Sequence, residues 1–180
     1  GVGIAIGSYG CGLDGPDSSE IWVELTKTGV KLGTSWEDHG QGSDMGALGT
    51  AHEALRPLGL KPEQIKLVMN DTAITPNTGP AGGSRSQVMA GQAIKAGCEL
   101  LIDAMKKPDG SFRTYDEMVE EGLPFRYAGK WTAIECTNCD ENAQGNPFST
   151  YQYGVFMPEV EVDVNTGKVF VEKITCVADV

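Results

Sequence analysis

Hydrophobic and polar residues alternate strictly over Glu20-Ile21-Trp22-Val23-Glu24-Leu25-Thr26, which puts Ile21, Val23 and Leu25 on one face. Lys27-Thr28-Gly29 then turns the chain into Val30-Lys31-Leu32. Two period-2 runs around a glycine turn predict a β-hairpin. A second hairpin is expected where Val160, Val162 and Val164 alternate with acidic residues, Asn165-Thr166-Gly167 turns, and Val169 and Val171 resume the alternation. With one apolar face each, both hairpins belong in antiparallel sheets that rest one side on a core and leave the other wet.

Between the hairpins the period lengthens. Ser43 and Asp44 are suitable N-caps for a helix whose Met45, Leu48, His52 and Leu55 share a face, with Pro57 and Gly59 closing it. A longer helix is predicted from Ser86 to Lys106, because Ala90, Ile94, Cys98, Leu101 and Met105 recur every three or four positions; Lys107-Pro108-Asp109-Gly110 stops it. Ile65–Met69 reads as a short strand, and Thr114-Tyr115-Asp116-Glu117 starts a short helix with a capping-box pattern. The resulting order, β-β-α-β-α-α-β-β, gives an α+β class in which antiparallel hairpins pack with two main helices. No low-complexity tract or linker interrupts residues 1–180, which read as one unit. The likeness of the two hairpins fits a weak internal repeat or chance reuse of one pattern. Strand-like runs at Gly1–Ile6, with no initiating Met, and at Ile174–Val180 suggest a piece of a longer polypeptide.

Composition narrows the function classes. The 180 residues carry 14 basic and 25 acidic side chains, a formal net charge of -11, and 40% hydrophobic positions. A chain of this size buries roughly 70% of the surface exposed on unfolding, so a folded domain is expected rather than disorder. The acidic balance and the lack of a basic cluster argue against nucleic-acid or anionic-membrane partners. No apolar run approaches the ~20 residues of a membrane span, and the apolar start has no basic flank of a signal peptide. Five cysteines, at 11, 98, 136, 139 and 176, are too unevenly placed for a disulfide framework. Reduced thiols, and with them a cytoplasmic location, are the default.

Candidate chemistry concentrates in two glycine-rich loops, each opening a helix. In Trp36-Glu37-Asp38-His39-Gly40-Gln41-Gly42-Ser43-Asp44, two glycines bracket a glutamine. Backbone N–H groups at a helix N-terminus suit an anion, glycines admit a close ligand, and Gln41 offers a donor and an acceptor to an amide-like ring edge. On spacing alone an ordinary strand-to-helix turn is the commoner outcome, since neither a P-loop nor a Gly-x-Gly-x-x-Gly is present. The second loop, Asn77-Thr78-Gly79-Pro80-Ala81-Gly82-Gly83-Ser84-Arg85-Ser86, offers the same features, so a ligand with more than one polar end fits between the two. Arg85 reads equally as a phosphate partner or as one half of a solvated surface salt bridge. Cys136-Thr137-Asn138-Cys139 is a lone CxxC; without a second pair or a βαβ context it reads as two structural or loop thiols. His52 is expected to be a packed, hydrogen-bonded core histidine, whereas His39 lies on the ligand side.

These residues carry a resemblance. Glu37-Asp38-His39-Gly40-Gln41-Gly42 before a helix, Pro76–Ser84 opening another, and Tyr153-Gly154 leading to Glu159-Val160-Glu161-Val162-Asp163 with Thr166-Gly167 are similar, in order and over nearly the whole chain, to the molybdenum-binding part of the xanthine oxidase family. Within that family the bacterial aldehyde oxidoreductases are most alike. The resemblance implies a hydroxylase that converts aldehydes to carboxylic acids with water-derived oxygen, using molybdenum on the dithiolene of a molybdopterin dinucleotide. It also implies iron-sulfur clusters in an N-terminal region outside this chain, an electron-acceptor protein or domain, and a possible homodimer. His39, Gly40, Gln41, Gly42, Ser43 and Asp44 are expected to contact the pterin and its phosphate. Gly82, Gly83 and Ser84 sit close by, and Ala143, Gln144, Gly145 and Asn146 form a further contact segment. The family's general-base glutamate belongs to a segment without a match here, so no catalytic residue is assigned. The alternative is a non-catalytic α+β binding or assembly module that keeps the scaffold without the metal.

Overall fold

The computed structural model describes residues 1–179 and contains two sheets and three α-helices. Strands β2 (Ser18–Thr26), β3 (Gly29–Thr34), β4 (Ile65–Met69) and β5 (Arg126–Thr132) form a sheet of order β4-β3-β2-β5. Helices α1 (Ser43–Ala54) and α2 (Arg85–Met105) pack together, and α2 lies on β2 and β5. The short α3 (Tyr115–Glu120) precedes β5. Strands β1 (Ala5–Gly10), β6 (Tyr151–Val162) and β7 (Val169–Asp179) form a second sheet, ordered β1-β6-β7. The α+β class read from the sequence is the class of the structure.

The first hairpin forms as expected, with Trp22 paired to Gly33 and Leu25 to Val30. Ile21, Val23, Val30 and Leu32 are buried against Ala90, Ala93, Ile94, Cys98 and Leu101 of α2 and against Ala47, Ala51 and Leu55 from the α1 side. Gly97 and Gly129 bring α2 and β5 together: a Cβ on Gly129 would collide with the Ala93 carbonyl oxygen and lie 2.7 Å from the Gly97 nitrogen. Glycine inside a strand marks such a close backbone approach, and it also hid β5, whose run Arg126-Tyr-Ala-Gly-Lys-Trp-Thr132 has no strong alternation.

Three expectations need correction. The sheet holding the first hairpin is mixed, because β3 and β4 run parallel, with Val30 beside Ile65 and Leu32 beside Leu67. The chain leaves β3, passes through α1 and returns in the same direction, the crossover that a parallel pair requires. In α1, Met45 is 69% exposed. The buried stripe is Ala47 and Ala51, continued by Leu55, so small residues let the helix approach its neighbours closely. The second hairpin forms, but its sheet rests on no core among the described residues. Val169 and Val171 point to one face and Phe170 to the other, all exposed, and Ile174 and Val177 are 59% and 67% exposed.

Candidate functional site

The candidate site lies where β3 and the 70–84 segment deliver the two glycine loops to the N-terminal ends of α1 and α2. Thr78, buried at 2% exposure, fixes the second loop to the end of β3. Its hydroxyl donates to the Glu20 carbonyl at 3.1 Å and accepts from the Ser35 amide at 2.9 Å, and the Ser35 hydroxyl donates to the Pro76 carbonyl at 2.6 Å.

Arg85 completes the anchor. Its guanidinium and the Asp17 carboxylate are each 4% exposed and pair bidentately at 2.7 and 2.9 Å. The remaining donors reach the carbonyls of Ser18 at 2.7 Å, Pro80 at 2.8 Å and Thr78 at 3.3 Å. Neither sequence reading of Arg85 describes this geometry: the side chain is buried and saturated, so it serves the loop's backbone. Burial raises the Asp17 carboxyl, but the Arg85 hydrogen bonds and charge and the Leu13 and Ser18 amides outweigh it and hold the group below its ordinary value.

In the first loop, Asp38 takes the place foreseen for an anion. Its Oδ1 accepts the amides of Gly40 at 2.7 Å and Gly42 at 3.2 Å, and its Oδ2 accepts that of Asp44 at 3.0 Å. The bond from Asp44, then that from Gly40, hold the Asp38 carboxyl below the usual range. This corrects the N-cap reading: the cap of α1 is Gly42, in left-handed conformation at φ 87°, with no side-chain cap from Ser43 or Asp44. Burial, then the charge of Asp38, push Asp44 up, and Asp44 Oδ1 is buried without a hydrogen-bond partner among the described residues. Gln41 is held on both ends, its Oε1 accepting the His39 amide and its Nε2 donating to the Glu37 carbonyl and the Ser43 hydroxyl, both at 3.2 Å.

Between the loops opens a cleft of about 430 Å³ lined by His39, Gln41, Gly42, Ser43, Ala81, Gly82, Ser84, Ser86 and Gln87. Glu37 spans from the first loop to the second, its Oε2 accepting the Ala81 amide at 3.1 Å. Of the residues singled out in the sequence, Gly40, Asp44 and Gly83 do not line this cleft. Gly83 is explained by packing, since a Cβ there would meet the Gly12 carbonyl oxygen at 2.8 Å, while the Gly83 carbonyl accepts the Gly12 amide at 2.6 Å. Ala143-Gln144-Gly145-Asn146 does not line the cleft. It belongs to an exposed loop folded on itself, with Asp140 bonded to Gln144 and Thr137 to Asn146. Cys136 and Cys139 lie in the same loop as free thiols.

The lining has hydroxyls and amides but no Lys or Arg. It therefore matches a neutral polar ring system, and a phosphate would rest on backbone, hydroxyl, side-chain amide and imidazole groups without a Lys or Arg partner. Gly82 adds a second sign of fit, because its φ is not in the left-handed region and a Cβ on it would meet nothing within 4 Å. Neither the backbone nor a neighbour within the chain requires glycine there. Gln87 was missed by the sequence reading, and Ser86 was named only as the end of the second loop, although their place in the first turn of α2 was the available signal. The structural work of Glu37 and Asp38 was missed too, and here the signal was an acid two residues before Gly40, the Asx-turn pattern.

His52 is half-buried, not a core residue, and donates from Nε2 to the Leu60 carbonyl at 3.2 Å. Cys98 is buried, and burial, then the charge of Glu99, push its thiol up to about 12, leaving it inert. Among the described residues no helix is long and apolar enough to cross a membrane, and no group of three His, Cys, Asp or Glu side chains is arranged to hold a metal ion.

Comparison with known proteins gives this geometry its family. The aldehyde oxidoreductase of Megalodesulfovibrio gigas is 55% identical over 181 residues, covering 99% of this chain and 20% of that protein. The crystal structure of the aldehyde oxidoreductase from Desulfovibrio desulfuricans superposes with a TM-score of 0.92 at 64% identity, again over 99% of this chain and 20% of that one. Aldehyde oxidase 1 of Bos taurus is 30% identical over 62% of this chain and 9% of its own length. The chain thus spans a fifth or less of these relatives. The family described as the molybdopterin cofactor-binding domain matches residues 1–180, and the chain belongs to that family.

Proposed function

We propose that this chain forms part of the cofactor wall of a molybdenum-dependent aldehyde oxidoreductase, with the polar ring of a molybdopterin dinucleotide held in the cleft between the two glycine loops. When bound, the cofactor would supply a molybdenum centre able to hydroxylate an aldehyde to a carboxylic acid with oxygen from water and to accept two electrons. This chain's residues bind and orient it. Gln41 is immobilised at both ends of its amide: its two Nε2 protons are taken by the Glu37 carbonyl and the Ser43 hydroxyl, and Oε1 keeps one lone pair for a ligand donor, while the hydroxyls of Ser84 and Ser86 rotate to suit the ligand. His39 closes one side of the cleft, and Gly42 and Gly82 leave room for the ring. Gly40, Asp44 and Gly83 hold the backbone of the two loops. Ala143–Asn146 is assigned a second contact, reached from its separate loop. Iron-sulfur clusters elsewhere in the full-length protein would pass the electrons to an acceptor protein or domain.

The observation that carries this reading is Gly82, a glycine facing an open polar cleft for which the chain itself has no use. A branched side chain there fills the cleft without straining the fold. Molybdenum and pterin content per folded full-length protein provides the test. Stoichiometric cofactor in the wild type and its loss in folded Gly82→Val are expected. A folded wild type free of metal would favour the binding or assembly module instead.

A further inference from the structure

We propose that Asp38, assisted by Glu37, is a positioning residue of the cleft, a role that rests on the reading of this cleft as the cofactor site. Its carboxylate is the resident anion of the Gly-Gln-Gly loop. Oδ1 gathers the Gly40 and Gly42 amides and Oδ2 the Asp44 amide, so one side chain fixes every second residue from 40 to 44. Gln41 and Ser43, which lie between the fixed residues, line the cleft together with Gly42. Two glycines in left-handed conformation, with no Cβ contacts of their own, leave this loop to side-chain hydrogen bonds, those of Asp38 on its amides and those of Gln41 on Glu37, His39 and Ser43. Glu37 extends the same device to the second loop through the Ala81 amide, while its own carbonyl accepts from Gln41 and Ser43. Adjacent acidic residues therefore set both the shape of one loop and its distance from the other. A ligand phosphate is excluded from the amides of Gly40, Gly42 and Asp44 because the Asp38 carboxylate already accepts them.

The test compares wild type, Asp38→Ala, Asp38→Asn and Glu37→Gln in the full-length protein by amide hydrogen exchange over residues 38–46 and by molybdenum and pterin content. Asp38→Ala is expected to keep its fold, to lose protection at Gly40, Gly42 and Asp44, and to retain less than a tenth of the wild-type cofactor. Asp38→Asn keeps one acceptor oxygen for Gly40 and Gly42 and should recover part of both signals; it also stands in if the alanine variant does not fold. Glu37→Gln, which keeps an acceptor for Ala81, should lose less than twofold. Unchanged protection in Asp38→Ala would overturn the role, and so would lost protection with full cofactor content. If the wild type carries no cofactor the functional reading fails separately, and the exchange arm still decides whether Asp38 shapes the loop.

Discussion

Gly42 and Gly82 both face the cleft, yet they differ in what they test. Gly42 has φ 87°, so any side chain strains the backbone whether or not a ligand is present. Gly82 has neither a left-handed φ nor a crowded Cβ, so loss of cofactor on Gly82→Val reports the ligand alone. Gln41→Ala is expected to weaken retention less, perturbing the loop's side-chain bonds but leaving the Asp38 bonds in place; metal content of the full-length Gly82→Val and Gln41→Ala variants ranks them. Away from the cleft, the Asp17–Arg85 pair carries stability. Breaking a buried pair from one side costs roughly 3–5 kcal/mol, so Arg85→Met should lower the unfolding midpoint sharply. Because Asp17 is held below its ordinary value, its contribution is complete above the unfolded carboxyl pKa of about 4 and is lost as pH falls through the folded value. Asp17→Asn should accordingly flatten the acid limb of a stability–pH curve measured by urea unfolding. The glycine loops were legible in the sequence because their residue types are distinctive. The buried partner of Arg85 was not, since Asp17 lies 68 residues away and nothing local marks it.

At the level of elements, periodicity found what packing on a single face produces. All five residues chosen for the long helix, Ala90, Ile94, Cys98, Leu101 and Met105, are buried. The helix at Thr114 has its capping box, with Thr114 Oγ1 accepting the Glu117 amide and the Glu117 carboxylate accepting the Thr114 amide at 2.7 Å. Thr114→Ala should cost about 1 kcal/mol, measurable as a shift in denaturant midpoint. Periodicity failed where small residues replace bulk. The buried stripe of α1 is largely alanine, and the contact of β5 with α2 is glycine on glycine, neither of which registers as hydrophobic pattern. That contact predicts a large effect from a small change. Gly129→Val drives a side chain into the backbone of α2 at Ala93, and since overpacking costs typically 1–3 kcal/mol when side chains can yield, a clash with backbone should reach or exceed the upper end. Gly110→Ala, at an exposed turn with φ 85° and open space around it, provides a control that carries backbone strain without a clash.

Across the whole molecule the two sheets differ in kind. The β4-β3-β2-β5 sheet is covered by helices and supplies the core, whereas β1-β6-β7 exposes apolar side chains on both faces, including Ile6, Tyr9, Phe156, Phe170, Ile174 and Val177. Contiguous apolar patches beyond a few hundred Å² are uncommon on monomeric soluble proteins and mark surfaces meant for contact. The alternation that announced this hairpin specified a strand, but it could not specify what lies against it, because the covering partner is not among residues 1–179. The cleft between the glycine loops is incomplete in the same sense, with its lining drawn from two loops and the remaining sides open to solvent. Polar groups of a ligand held there by one wall stay in competition with water, and each hydrogen bond then contributes only about 0.5–1.5 kcal/mol net. The isolated 180-residue chain is therefore expected to bind a hydrophobic dye such as ANS, to self-associate as its concentration rises, and to purify with no stoichiometric molybdenum or pterin. Full-length protein should bind little dye, show no open-ended association as its concentration rises, and carry stoichiometric cofactor. Dye fluorescence, sedimentation and elemental analysis on the two proteins make the comparison, and stoichiometric cofactor in the isolated chain would mean that this one wall suffices.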